Sequence, residues 1–177
     1  MAEIAGLKLI TPSSVAGSGV SLSGAKVVFT AATTININGV FSATHDNYLI
    51  VYRNTASASN EIQYRLRASG SDASGSNYTD QVIYALNTLV GGARRTSQTA
   101  GYFHRTGTGN GGTHFYIYGP ALAQPTATRD VCASSRDTVS IQEYACTHSL
   151  STAYDGITIL PTVGNVTGAL CVYGLSQ

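Results

Sequence analysis

The sequence predicts an all-β protein: an antiparallel, jelly-roll-like β-sandwich with an extended N-terminal arm. Three observations carry this reading. From Lys26 onward, short stretches alternate apolar and polar residues. In Glu61–Ala68, Ile62, Tyr64, Leu66 and Ala68 interleave with Glu61, Gln63, Arg65 and Arg67. Successive side chains on a strand point to opposite faces, so a period of two makes a sheet with one buried side. Gly, Ser, Asn, Asp and Thr separate these stretches at roughly 8–12-residue intervals, the rhythm of a sandwich or barrel. No segment carries apolar residues at helical spacing over about ten residues, so almost no helix is expected.

The chain divides at about residue 25. Residues 1–25 hold the short apolar cluster Ile4, Leu7, Leu9 and Ile10, then Pro12 and a Ser/Gly/Val stretch that breaks any regular pattern. They read as an arm and linker that lies on its own sandwich or on a neighbouring subunit. An ordinary first strand is the competing reading. Residues 26–177 read as the sandwich. Its candidate strands are Val27–Ala31 and Thr34–Ile37, the latter closed by the turn pair Asn38-Gly39. Asn47–Arg53, Glu61–Ala68, Tyr78–Leu86 and Ser97–His104 follow, with Arg94 and Arg95 in a loop before the last of these. His114–Tyr118, Val131–Ser134, Val139–Ala145, Gly156–Leu160 and Val166–Tyr173 complete the set. The loops 54–60, 69–77 and 106–112 are expected to face outward. No unit recurs at a fixed period, which argues against propellers and solenoids.

Composition limits function. Charged residues are 11% of the 177, against roughly 25% in ordinary soluble domains, and only Lys8 and Lys26 are lysines. Such a surface loses little to desolvation when another subunit covers it. This favours a protein that works inside an assembly over a monomer with a Ser/Thr-rich face. A net charge of +1 gives no footprint for nucleic acid. No apolar run approaches the roughly 18 residues of a membrane helix, and residues 1–25 lack the pattern of a secretion signal. Cys132, Cys146 and Cys171 cannot all pair within one chain and read as buried free thiols, with Cys171 a small core hydrophobe.

Nothing in the sequence assembles a catalytic set or calls for a cofactor. Residues 106–113 resemble a phosphate-binding glycine loop, but strands flank them where that mechanism needs a helix. Their glycines, with Gly109, Asn110 and Gly111 at the centre, read as a hairpin connection able to approach a neighbour closely. His45, His104, His114 and His148 have no partner at metal-ligand spacing. The acidic residues sit where turns use Asp, as in Ser71-Asp72 and Asp155-Gly156. Eleven tyrosines against no Trp supply rigid amphipathic area for packing or for an interface, so Tyr116 and Tyr118 join Arg94 and Arg95 as interface candidates.

Several segments look familiar. Residues 39–51, with Phe41-Ser42 and Asp46-Asn47-Tyr48, resemble an "F-S-x-x-Y-D-N-Y-x-I-x-V" segment of small virion proteins in tailed bacteriophages. His45 stands here where that segment has Tyr. Leu66–Asp72 followed by Asn77-Tyr78 is similar to the same group's "L-R-A-S-G-x-D…N-Y", and residues 147–156 and 168–174 resemble its C-terminal half. The resemblance implies a non-enzymatic structural protein of the particle surface, a capsid decoration or minor tail component. It implies a location on the virion after assembly in the bacterial cytoplasm. Its partners would be further copies of itself, as in a trimer, and major capsid or tail proteins, with a host glycan as the alternative for a tail-fibre module. The arm residues Ile4, Leu7, Leu9 and Ile10 would anchor it to a neighbour.

Overall fold

The computed structural model describes residues 6–134 and 140–175, and among them every regular element is a strand. The first are β1 (Leu7–Ile10), β2 (Ser14–Ala16), β3 (Val20–Ser23), β4 (Lys26–Ala32) and β5 (Ile35–Asn38). The middle of the chain gives β6 (Asn47–Ala56), β7 (Asn60–Ala68), β8 (Ser71–Asp72), β9 (Tyr78–Leu86) and β10 (Leu89–Gln98). Then come β11 (Gly101–Thr106), β12 (Gly111–Tyr118), β13 (Thr126–Ser134), β14 (Ser140–His148), β15 (Gly156–Pro161) and β16 (Val166–Leu175).

These strands form two antiparallel sheets packed face to face, a β-sandwich. The larger has ten strands in the order β10-β9-β14-β13-β12-β6-β16-β4-β3, with β1 also paired to β16. The smaller has six, β11-β7-β15-β5-β2, with β8 beside β7. The chain passes from one sheet to the other again and again, so most pairings join residues distant in sequence. The core fills the space between. Tyr48, Ile50, Tyr52, Phe115 and Val172 point in from the large sheet, and Ile37, Ile62, Tyr64, Phe103 and Ile159 from the small one. Burying each such side chain contributes about 1.5–3 kcal/mol.

The expected arm is paired at three places with its own sandwich. Leu7–Ile10 runs along Val172–Leu175, Ser14–Ala16 along β5, and Val20–Ser23 along β4. Residues 6–25 are therefore edge strands of both sheets, continuous with the rest of the domain. Backbone groups in this segment that an arm would leave to water are instead satisfied by ladders. Ile4 lies outside the described residues, as does Val139 at the start of the expected strand Val139–Ala145.

A second difference concerns Arg94 and Arg95. They lie within a ten-residue strand, β10, which forms a hairpin with β9 across Asn87-Thr88. The expected strand Ser97–His104 divides: its first part ends β10 in the large sheet, and Gly101 opens β11 in the small one. A register shift between Arg95 and Gln98 and a left-handed Ser97 (φ 56) mark the change of direction.

Residues 39–51, 66–78 and 147–156 act as fasteners. Tyr48 Oη donates to the Ser42 carbonyl (2.8 Å) and accepts from the Ser42 amide (2.7 Å), closing the 42–48 loop. The His45 ring lies edge-on to Tyr48 and fills the space above Gly174, where a Cβ would fall 2.3 Å from it. Arg67, expected to face solvent, is buried. Its guanidinium holds Asp72, the Gly70 carbonyl, Asn36, Asn38 and Thr158. The Asp155 carbonyl accepts from Val40 and Phe41 (2.9 and 3.2 Å), and its carboxylate accepts from the Ser69 amide (3.1 Å).

Candidate interaction face

Alternation assigns residues to two faces, and the pairing with neighbours decides which face is inside. On β13 and β14 the usual assignment is partly reversed: Cys132, Tyr144 and Cys146 are buried and Arg129 and Thr147 exposed as expected, but polar residues also point in and aliphatic ones out. Thr126, Thr128, Asp130, Ser140, Gln142 and His148 are buried, whereas Val131, Ala133, Ile141 and Ala145 are exposed. Part of this inward polar set is bonded, while Thr126 Oγ1, Asp130 Oδ1 and His148 Nε2 have no hydrogen-bond partner among the described residues. Thr113 Oγ1 donates to Asp130 (3.1 Å), Tyr64 Oη meets Thr128 Oγ1 (3.0 Å) and Tyr144 Oη donates to Gln142 (2.9 Å). Pairing of this kind offsets the cost of a polar interior.

The register then lines up the outward residues across the large sheet. One row runs Val51, His114, Val131, Glu143 and Ile83; the next runs Arg53, Gly112, Ala133, Ile141, Ala85 and Val90. Gly112, Ala133 and Ala85 keep the floor low while Val51, Val131 and Ile141 stand above it. The result is an open groove of about 780 Å³, mostly apolar. A smaller depression of about 200 Å³ continues it toward β10 between Ile83, Val90, Val131 and Ile141. Exposure of Val90 (79%), Ile141 (57%) and Ile83 (56%) concentrates the apolar surface of this face at this end. Contiguous apolar surface of this kind marks a contact site.

The interface candidates are spread across this arrangement. Tyr116 and Tyr118 lie on the same outer face with parallel rings, 6.4 Å between centroids and 8° between planes. They border a depression of about 370 Å³ with His114 and Arg129, and Arg129 Nε donates to Glu143 (2.6 Å). Arg94 also faces outward, from β10. Arg95, one residue on, turns inward. It donates to Asp80 (2.8 Å) and Glu61 (3.2 Å), and its guanidinium lies 3.4 Å from the centre of the Tyr102 ring. Arg94 and Arg95 thus belong to opposite faces and share no site. Gly109 and Asn110 are exposed in the turn between β11 and β12. Gly111 opens β12, where a Cβ would sit 2.8 Å from His104 Nε2, so this glycine serves packing. Leu7 and Leu9 are exposed on β1, and Ile10 packs against the core. Cys132 and Cys146 are buried free thiols; Cys171 is half-buried on the outer face next to Val51, not a core residue.

The titratable groups with displaced equilibria lie mainly between the sheets, away from the groove. Burial pushes the Asp130 carboxyl well above its ordinary range, and Thr113 only partly opposes this. Burial also raises Asp80, against the pull of Arg95. For Arg95, burial lowers the pKa, yet the hydrogen bond and charge of Asp80, then Glu61, outweigh it and leave a net rise. Burial lowers His104 to about 3 and also lowers His148. Among the described residues, no three His, Cys, Asp or Glu side chains gather as a metal site. What the groove offers is shape and apolar area.

Sequence reasoning missed Val51, Ile83, Val90, Val131 and Ile141 as a face. The signal was the alternation itself in β13 and β14, read there as ordinary strand pattern. No protein-family model and no curated protein matches the chain.

Proposed function

We propose that this chain is a non-enzymatic structural subunit of a particle surface, a tailed-phage decoration or minor tail component. It docks on other virion proteins through the outer face of the ten-stranded sheet. The observation that carries the reading is the outward placing of Val131, Ala133, Ile141 and Ala145 on β13 and β14, while Thr126, Thr128, Asp130 and Gln142 point inward. A free-standing domain gains nothing from that order, whereas a domain covered by a partner does. Size agrees. The seven strands from β16 to β10, at about 4.8 Å spacing and about 3.3 Å per residue, present roughly 800–900 Å². A standard interface takes about 800 Å² from each partner. Symmetry on a particle would multiply weak single contacts into firm attachment. The phage assignment itself rests on the resembling segments.

The test is electron microscopy of particles carrying tagged protein, with wild type beside Ile141→Asp. Wild type is expected at defined sites on the particle, and the variant, folded but with a charge in the groove, is expected to be lost from them. Tagged protein absent from particles would remove the reading, as would a variant that loads equally well. A second reading, a glycan-binding module of a tail fibre, is favoured by the parallel Tyr116 and Tyr118 rings beside Arg129 and Glu143. Binding on a glycan array that disappears in Tyr118→Ala supports it; an array without signal dismisses it.

A further inference from the structure

We infer that β10 pairs edge to edge with β10 of a second copy, about a two-fold axis at Gly92. β10 ends the large sheet and is hydrogen-bonded to β9 alone. The register runs from Leu89↔Leu86 to Arg95↔Asp80. In an antiparallel ladder, alternate residues send their N–H and C=O groups to opposite sides, and a two-residue turn closes on a bonded pair. Leu89, Gly91, Ala93 and Arg95 therefore bond to β9. Val90, Gly92 and Arg94 turn their backbone groups outward, to no strand among the described residues.

Edge strands that stay single are usually blunted by charged side chains (Lys above all), inward-pointing charges, Pro, a bulge or short length. β10 has no Lys or Pro and is ten residues long, and its register shift comes only after Arg95. Its most exposed side chains are the aliphatic Leu89 and Val90. From Leu89 to Ala93 the edge carries none of these devices; Arg94, the inward-turned Arg95 and the register shift all lie beyond that stretch.

The charges identify the occupant as a second copy. Centred on Gly92, antiparallel self-pairing sets Val90 against Arg94 and Leu89 against Arg95, twice each by symmetry. Every Arg meets an aliphatic neighbour, along which its methylene stem can lie, and no like charges face each other. At the axis stands a glycine, so no side chains crowd the closest approach. The two ten-stranded sheets then join into one, and the Val90–Ile83–Ile141 surfaces of both copies meet across the axis. Seven paired residues make a small contact, so the association belongs to the weak class below about 1,200 Å². It gains strength where a particle holds copies side by side.

Sedimentation velocity from about 10 µM to about 1 mM reads the association. Wild type is expected to move from monomer to dimer over this range. Val90→Pro removes one outward N–H from an edge where β9 does not use it, and Val90→Lys sets like charge against Arg94. Each is expected to weaken dimerisation by about tenfold or more, with the thermal midpoint of at least the lysine variant unchanged. In a Cys171→Ser background, Gly92→Cys is expected to form a disulfide dimer on mild oxidation, and Ser23→Cys on the opposite edge is not. Wild type that stays monomeric at the highest concentration overturns the inference. So does cross-linking at Ser23→Cys equal to that at Gly92→Cys. These solution results are independent of whether the protein occurs on particles.

Discussion

His104 makes stability fall on mild acidification, by an amount the structure sets. The ring is fully buried between the sheets, with Tyr52 and Phe103 around it. Its Nε2 lies 3.0 Å from Asn54 Oδ1, and Asn54 Nδ2 in turn donates to Thr106 Oγ1 (3.4 Å). A neutral ring protonated on Nε2 satisfies that chain. A second proton would go on Nδ1, which has no hydrogen-bond partner. Burial accordingly lowers the folded pKa to about 3 from the ordinary 6.5. The unfolded chain takes up the proton first, so stability is complete above the ordinary value and lost as pH falls toward the folded one. Between about pH 8 and pH 5 the loss from this residue is about 2 kcal/mol. His148, also lowered, acts in the same sense. Asp80 and Asp130, both raised, act in the opposite sense, because acid relieves their burial. A single pH profile therefore mixes the two, and the assay must be a difference. Urea unfolding of wild type and His104→Gln at both pH values isolates the residue. The pH-dependent change in stability should differ between the two proteins by about 2 kcal/mol. Profiles parallel to within about 0.5 kcal/mol would refute the burial argument.

Asp130 gives the mirror case. Its carboxyl is favoured in the protonated form by the fold, so its stabilising effect is present at low pH and lost as pH rises above the ordinary carboxylate range. Asp130→Asn should unfold at a higher temperature than wild type at neutral pH, with the gap closing toward pH 4, as calorimetry would show. Gly168 on β16 lies beside β6 in the same sheet, where a Cβ would fall 2.1 Å from the Arg53 carbonyl oxygen. Gly168→Ala should cost at least about 2 kcal/mol in denaturant unfolding, because backbone cannot yield as a side chain can. Tyr78 Oη donates to the Ala73 carbonyl (2.9 Å) and accepts from the Leu66 amide (3.0 Å). Tyr78→Phe leaves that buried amide without its partner and should cost about 1–3 kcal/mol by the same measurement.

The fold was legible where the pattern was strong and regular. Glu61–Ala68 alternated with large side chains and became a central strand of the small sheet. Asn38-Gly39 read as a turn, and Gly39 takes φ 65 there. Three elements hid for physical reasons. β10 carries Gly91-Gly92 and two arginines, a composition that reads as loop; it is a strand because its ladder with β9 holds it, not because of its own propensity. The segments in 7–23 are three or four residues each, too short to show a period, and become strands by pairing with β16, β5 and β4. The interaction face was hidden more deeply. Val131 and Ile141 alternate with Asp130 and Gln142, and the pattern is the same whichever set points inward. Only the position of β11 beneath β13 and β14 settles it, and that is a long-range fact.

The residues that join the loops and the face proposed to dock do different jobs. Tyr48 with Ser42, Arg67 with Asp72, and Asp155 with Val40 and Ser69 join loops and hairpins of the sandwich to one another. Each makes hydrogen bonds that would leave buried polar groups unpaired if it were lost, so such residues are constrained by folding whatever the protein binds. The groove makes no such demand: Val51, Val131 and Ile141 are 37%, 41% and 57% exposed and carry no polar group to satisfy, so another aliphatic would serve the fold equally. The fasteners therefore hold the architecture, whereas the docking proposed above depends on the outward rows of β6, β13, β14, β9 and β10. A chain with the same fasteners and a charged outer face is expected to keep this sandwich and to lose the docking proposed above.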